Sequence, residues 1–193
     1  LRSTLDIPAQ KGVGFLGGYH WGLAMLYSKL ERPGRGSARG QRRELSEAVV
    51  RQAVVILSSY RRWIGSDLLP PQKSPDALAQ SLFDAPFVVI SHGTEEDPVL
   101  NYGNRTALTL WELSWEEFTK MPSRSTAEPM EQAERARLLD EVSRKGFMEG
   151  YQGVRISKTG RRFRVEKAVV WNLVDGQDRC RGQAATFSRW TYL

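Results

Sequence analysis

The stretch Pro98-Val99-Leu100-Asn101-Tyr102-Gly103-Asn104-Arg105-Thr106-Ala107-Leu108-Thr109-Leu110-Trp111-Glu112-Leu113-Ser114-Trp115-Glu116-Glu117-Phe118 decides the fold. Its opening, Pro98 to Tyr102, reads as a short strand. Asn104 then stands at a helix N-cap, where its side-chain oxygen can take an orphan amide, so a helix over Arg105–Leu113 is expected. Ser114 and Glu117 have the spacing of a capping box, in which the Ser oxygen accepts an amide and the Glu carboxylate reaches back to the cap. A second short helix should follow, ending near Lys120.

Upstream, Pro86 introduces Phe87-Val88-Val89-Ile90-Ser91, a compact strand, and Gly93–Asp97 is an acidic loop. A short helical stretch covers Asp76–Phe83, and Pro70–Pro75 is a break that reads as a linker. Between Glu44 and Ile64 the residues Leu45, Val49, Ala53, Ile56, Tyr60 and Ile64 recur at spacings of three and four, with Gly65 as a stop signal. This predicts an amphipathic helix of about five turns. Downstream, Met121–Pro129 is a loop. Met130–Lys145 is a helix with Glu131/Arg135, Asp140/Arg144 and Glu141/Lys145 in the favourable i,i+4 order. Its apolar face uses Leu138, Leu139 and Val142. From residue 151 onward the chain reads as antiparallel sheet. Val154 and Ile156 alternate with Arg155 and Ser157, and Thr159-Gly160 turns. Phe163, Val165, Val169, Trp171 and Leu173 share one face, opposite Arg162, Arg164, Glu166 and Asn172. Asp175-Gly176 turns again, and Arg181–Tyr192 is the last strand. The fold class is α+β: a five-stranded antiparallel sheet with short helices on one face, preceded by an amphipathic helix. The expected division is 1–43, a flexible basic arm; 44–70, the helix and linker; and 71–193, the sheet domain.

Composition narrows the function classes. Of 193 residues, 40% are apolar and 26% charged, a globular balance that excludes wholesale disorder. No run of about 18 apolar residues exists to form a transmembrane helix. One cysteine, Cys180, rules out an intramolecular disulfide and a multi-cysteine zinc site, and it suits a reducing compartment. The net charge of +6 invites a nucleic-acid reading, but its distribution restricts that reading. Residues 1–70 hold 11 Lys/Arg against 5 Asp/Glu, whereas residues 71–193 hold 17 of each. The excess belongs to the N-terminal third. A short helix is expected over Tyr19–Leu30, followed by the Gly- and Ser-rich basic run Lys29–Arg43. That run reads as a solvated linker or a remnant of a plastid-targeting region. The alternative is that Arg32, Arg35, Arg39, Arg42 and Arg43 grip phosphates or an acidic partner.

At this point the residues resemble a known family. Asp97–Leu108 resembles the second strand and first helix of a PAS domain, and Leu113-Ser114-Trp115-Glu116-Glu117-Phe118 resembles the turn and helix that follow. Ala85-Pro86-Phe87-Val88-Val89-Ile90-Ser91-His92-Gly93-Thr94, Gly182-Gln183-Ala184-Ala185-Thr186-Phe187-Ser188 and Ser59-Tyr60-Arg61-Arg62-Trp63 are similar to the MEKHLA domain. That PAS-like family occurs as standalone proteins in cyanobacteria and green lineages, and at the C-terminus of plant homeodomain–leucine zipper factors. The resemblance covers roughly residues 46–193. It implies a PAS-like fold and a pocket between the sheet face and the short helices. It also implies that the helix ahead of the core packs on the sheet or pairs with a second subunit.

The residues expected around such a pocket are Trp111, Trp115, Phe118, Met121, Phe163 and Trp171, with Asn101 and Arg124 as polar groups to orient a ligand. The alternative is a solid core. No cofactor motif is present, so the cofactor is unassigned. His92 reads as a strand-end residue bonded to backbone, or alternatively as the base of a small enzyme. Cys180, between Arg179 and Arg181, reads as a surface thiol; it stands outside the helix where flavin photoreceptors place their adduct cysteine. The expected function is a non-catalytic sensory or protein-interaction module, with a partner or second copy docking on the helix 44–64. The rival is a nucleic-acid-associated regulatory factor using the arm. A soluble protein of the plastid stroma or cytoplasm is expected.

Overall fold

The computed structural model describes residues 45–128 and 132–193, and the statements below concern these residues. The expected helix over Tyr19–Leu30 and the basic residues Arg32, Arg35, Arg39, Arg42 and Arg43 lie outside them.

Local chemistry sets the helix boundaries. The first helix, α1, spans Glu47–Ile64 and starts at the cap Ser46, whose side chain accepts from the Val49 amide. The expected start at Glu44 lies outside the described residues, and the helix begins after the capping serine. Gly65 ends it at φ 79°, and its amide bonds Arg61 O at 2.9 Å. α2 (Pro75–Phe83) begins with Ser74 as cap and Pro75 in the first turn. Strand β1 is Val88–His92 and β2 is Leu100–Gly103. α3 covers Arg105–Trp111 and ends two residues earlier than expected, with Glu112 at φ 58°. α4 (Trp115–Phe118) carries the full capping box of Ser114 and Glu117. A 3₁₀ turn over Ser123–Thr126 leads toward α5, Gln132–Lys145. Its Asp140/Arg144 and Glu141/Lys145 pairs form, whereas Glu131 lies outside the described residues.

Asn104 ties the N-terminal half together. It is fully buried, and its Oδ1 accepts from the amides of Val89 (3.0 Å) and Ala107 (3.1 Å). Its Nδ2 donates to the carbonyls of Phe87 (2.6 Å), Ala85 (3.3 Å) and Leu82 (3.4 Å). One amide group thus caps α3 and fixes both the end of α2 and the entry to β1.

The remaining strands are β3 (Phe147–Ile156), β4 (Arg162–Val174), β5 (Cys180–Phe187) and β6 (Arg189–Tyr192). All pairings are antiparallel, in the order β2-β1-β5-β4-β3, with β6 also on β4. The last strand, expected to run unbroken to Tyr192, divides at Ser188. Its register against β4 nevertheless continues: Val169 faces Thr186 and Glu166 faces Arg189. Opposite the break stands Lys167 at φ 51°. That left-handed residue shifts the side-chain phase of β4, since alternation has period two only along regular strand. Phe163 and Val165 therefore share a face with Ala168 and Val170, while Trp171 and Leu173 point to the other. The expected single apolar face from Phe163 to Leu173 is really two.

Both sheet faces are consequently covered. α3, α4 and α5 lie on the expected face. α1 and α2 cover the other, where Ala53, Ile56 and Tyr60 pack with Ala79, Leu82, Val89, Tyr102, Trp171 and Leu173. Tyr60 meets Trp171 edge-on with ring centroids 5.1 Å apart, and Trp171 Nε1 donates to Ile56 O at 3.3 Å. At the far end of α1, Trp63 Nε1 donates to Asn172 O at 2.9 Å. Gly146, at φ 93°, follows α5, and a Cβ there would collide with the Trp63 ring. The apolar stripe of α1 is thus turned onto its own sheet, and Val54 is its exposed large apolar residue.

Candidate ligand cavity

A cavity of about 50 Å³ lies between the sheet and the layer formed by α3, the 3₁₀ turn and α5. Its floor carries Ala168, Val170 and Ala185, and the short alanine side chains leave the space open. Leu138 and Leu139 of α5 and Trp111 of α3 close the apolar side. Ile90, Leu100, Val165, Ala184 and Phe187 extend the apolar wall, and a smaller polar set completes the lining. β1 supplies His92, β5 Gln183, the 3₁₀ turn Ser123 and Thr126, β3 Tyr151 and Arg155, and α5 Arg135. About four waters fit a space of this size, and the polar groups at one side of it could hold them.

The buried polar groups are incompletely satisfied. His92 Nδ1 lies 2.8 Å from Gly93 O. A carbonyl only accepts, so Nδ1 carries the proton and the neutral ring presents Nε2 as an acceptor. That Nε2 is buried without a partner, as are Ser123 Oγ and Trp111 Nε1, and all three side chains line the cavity. Such orphans are uncommon in native interiors. Burial pulls the His92 pKa below its ordinary value, with Arg135 adding to that and the Gly93 carbonyl, Glu95 and the Gln183 side chain opposing it. The imidazole is therefore neutral at pH 7.

The two arginines differ from the surface pairs elsewhere in the chain. Arg155 is 8% exposed; it donates to Tyr151 Oη and Val154 O, both at 2.7 Å, and stacks over the Tyr151 ring. Gly153 makes this possible, since a Cβ there would strike the Tyr151 hydroxyl. Arg135 is half-buried, and desolvation plus the Arg155 charge pull its pKa down to about 10, with Asp97 and Tyr151 opposing. Among the described residues, no carboxylate forms an ion pair with either arginine, and no carboxylate lines the cavity.

Of the residues expected around a pocket, Trp111 lines this cavity. Phe118 and Phe163 pack edge-on against the Trp111 ring and back the wall. Met121 borders the same cluster. Trp115 stands at the sheet edge against Tyr102 and Phe83. Trp171 is on the opposite sheet face under α1, displaced by the phase shift at Lys167. Asn101 is exposed, and its Oδ1 accepts from Ser91 and from Gln52 of α1. Arg124 is exposed and holds Asp97 through Nε at 3.0 Å. Arg179 and Arg181, the neighbours of Cys180, both pair with Asp175.

The sequence singles out His92, as a strand-end residue or a base, but not its neighbours in the lining, Arg135, Arg155 and Gln183. A signal existed for Arg155. A turn at Thr159-Gly160 places residue 155 opposite residue 163, and the structure pairs Arg155 with Phe163. Directly opposed residues share a face, so an inward Phe163 carries Arg155 inward with it.

The fold is found among solved structures. A PAS domain from Colwellia psychrerythraea superposes with a TM-score of 0.51 at 13% identity, covering 60% of this chain and 92% of that one. Among curated proteins, the Homeobox-leucine zipper protein HOX29 of Oryza sativa subsp. japonica is 25% identical over 181 residues. That alignment takes in 89% of this chain, and the protein of the same name from subsp. indica matches equally. The chain spans about a fifth of the length of these relatives. The profile of the MEKHLA domain matches residues 50–192, from α1 through β6. With a match over that span and the sheet-and-helix arrangement of a PAS domain, this chain belongs to the MEKHLA domain family.

Proposed function

We propose that this protein is a non-catalytic sensory module that takes a small ligand into the cavity between sheet and helices and passes its occupancy to α1. The observation that carries this reading is a mostly apolar cavity that holds three orphaned polar groups, His92 Nε2, Ser123 Oγ and Trp111 Nε1, where a ligand gives each a partner. A bonded route leads outward. Gln183 Nε2 donates to Asn172 Oδ1 and Ser143 Oγ (both 3.0 Å) and to Leu139 O (2.9 Å). Asn172 Nδ2 donates to Val142 O at 3.0 Å, and Asn172 O receives Trp63 Nε1 of α1. A ligand that moves α5 or Gln183 therefore acts on the seat of Trp63, and a partner protein or second copy reading α1 receives the change.

Native mass spectrometry of protein purified from its source tests this. A small bound species is expected in the wild type and absent from Ala185→Leu, which fills the floor. A wild type without bound species that also fails to gain one from a cell extract would refute the reading.

A second reading is a regulatory factor associated with nucleic acid. The basic excess of residues 1–70 favours it, as does the name of the rice relatives. It expects binding to DNA or RNA that falls steeply with salt and disappears when residues 1–43 are deleted.

A further inference from the structure

The cavity specifies more about its occupant than size. We propose that it is a site for a small oxyanion bearing a hydroxyl group, with the charge held by the guanidinium groups of Arg135 and Arg155 and the hydroxyl donated to His92 Nε2. This rests on the sensory reading above and narrows the ligand class.

Three observations converge. Two guanidinium groups line one cavity that no carboxylate lines among the described residues, and Asp97, which acts on Arg135 from outside that lining, is itself paired with Arg124, so the site carries positive charge that an anion would balance. Removing a cation from water without a counter-charge is costly, and a planar fork of donors matches a carboxylate or phosphate. Ser123 Oγ and Trp111 Nε1 are further buried donors without acceptors. The third unpaired group has the opposite polarity: with Nδ1–H committed to Gly93 O, His92 Nε2 is an acceptor, and a plain anion leaves it unmet. A hydroxylated anion satisfies both requirements. About 50 Å³ admits a molecule of roughly four to six non-hydrogen atoms. Short 2-hydroxy acids and monohydrogen phosphate share this chemistry.

Two-dimensional NMR of the full chain tests the proposal, using lactate, acetate, inorganic phosphate and lactamide as probes. Lactate should titrate the Trp111 indole and His92 signals saturably. Acetate should bind at least tenfold more weakly, lacking the hydroxyl, and lactamide at least tenfold more weakly, lacking the charge. If phosphate outbinds lactate, the phosphate member of the class is the ligand; if lactate leads, the hydroxy acid is. Arg155→Met and Arg135→Met should each weaken lactate at least tenfold. Their melting temperatures should change by only a few degrees, because neither arginine forms an ion pair among the described residues and each variant keeps an apolar chain in its place. An arginine with a purely structural role would instead lower the melting temperature and leave binding alone. His92→Ala should abolish the preference for lactate over acetate while keeping the preference over lactamide. Equal binding of lactate and lactamide at the Trp111 signal, or wild-type affinity in both arginine variants, overturns the oxyanion and leaves a neutral ligand in the same cavity. If none of the four probes saturates, the proposal fails, and the sensory reading is judged by its native mass measurement.

Discussion

Asn104→Asp exchanges one buried nitrogen for oxygen at the point where α2, β1 and α3 meet. Oδ1 keeps its two amide donors from Val89 and Ala107. The new oxygen replaces a group that donated to Phe87 O at 2.6 Å, with longer bonds to Ala85 O and Leu82 O. While the acid is protonated, its O–H can still donate to Phe87 O, so the loss is confined to the two longer bonds, about 1 kcal/mol. Once it ionises, a buried carboxylate oxygen faces three carbonyls, and the loss grows to about 3 kcal/mol. The sign of the pH effect follows. The folded-state pKa of the introduced acid is raised above its unfolded value, so the folded chain binds the proton more tightly. Stability relative to wild type is therefore best below about pH 4 and falls as pH rises through the folded pKa, by about 1.4 kcal/mol per unit of the rise. In thermal melts this is a deficit of about 2–4 °C at pH 4 widening to about 6–12 °C at pH 8. An equal deficit at both pH values, or one that widens on acidification, would refute the hydrogen-bond accounting for Asn104.

Other expectations are simpler. Ile56→Ala empties a site of zero exposure between α1 and the sheet and should cost about 2–5 kcal/mol in chemical denaturation; a loss below 1 kcal/mol would mean that α1 is not seated as described. Gly146→Ala forces a left-handed backbone and displaces the Trp63 ring, so a loss of about 2 kcal/mol or more is expected, together with loss of the protected Trp63 indole proton in hydrogen exchange. Arg124→Ala removes an exposed ion pair, should change stability by less than about 1 kcal/mol, and should leave ligand affinity untouched. His92 is held neutral by burial, so wild-type stability should fall as pH drops below about 6.5, and His92→Gln should flatten that slope between pH 7 and 5; an unchanged slope would show that the ring titrates as freely as in the unfolded chain.

Much of the fold was legible because it is written in local chemistry. The Asn104 cap and the Ser114–Glu117 capping box are short-range patterns, and the structure realises both. So is the stripe of α1 with its Gly65 stop. What was illegible depends on long-range phase. Nothing in the sequence of β4 marks Lys167 as left-handed, yet that residue moves Trp171 from the pocket face to the face under α1. The cavity lies between sheet and helices as expected, but most of its lining was misread for a related reason. Aromatic bulk suggested where apolar space would be lined, whereas the space exists because Ala168 and Ala185 are small and Arg155 turns inward. Large side chains fill a core, and the residues that leave a hole are the ones that catch the eye least.

The most direct measurement is a single lactate titration followed at two indole protons, Trp111 Nε1 in the cavity wall and Trp63 Nε1, which donates to Asn172 O from α1. The account predicts that both move together with one Kd, because occupancy of the cavity reaches α1 through Gln183 and Asn172. If Trp111 moves and Trp63 stays still, the cavity binds without signalling to the helix and the central claim is contradicted.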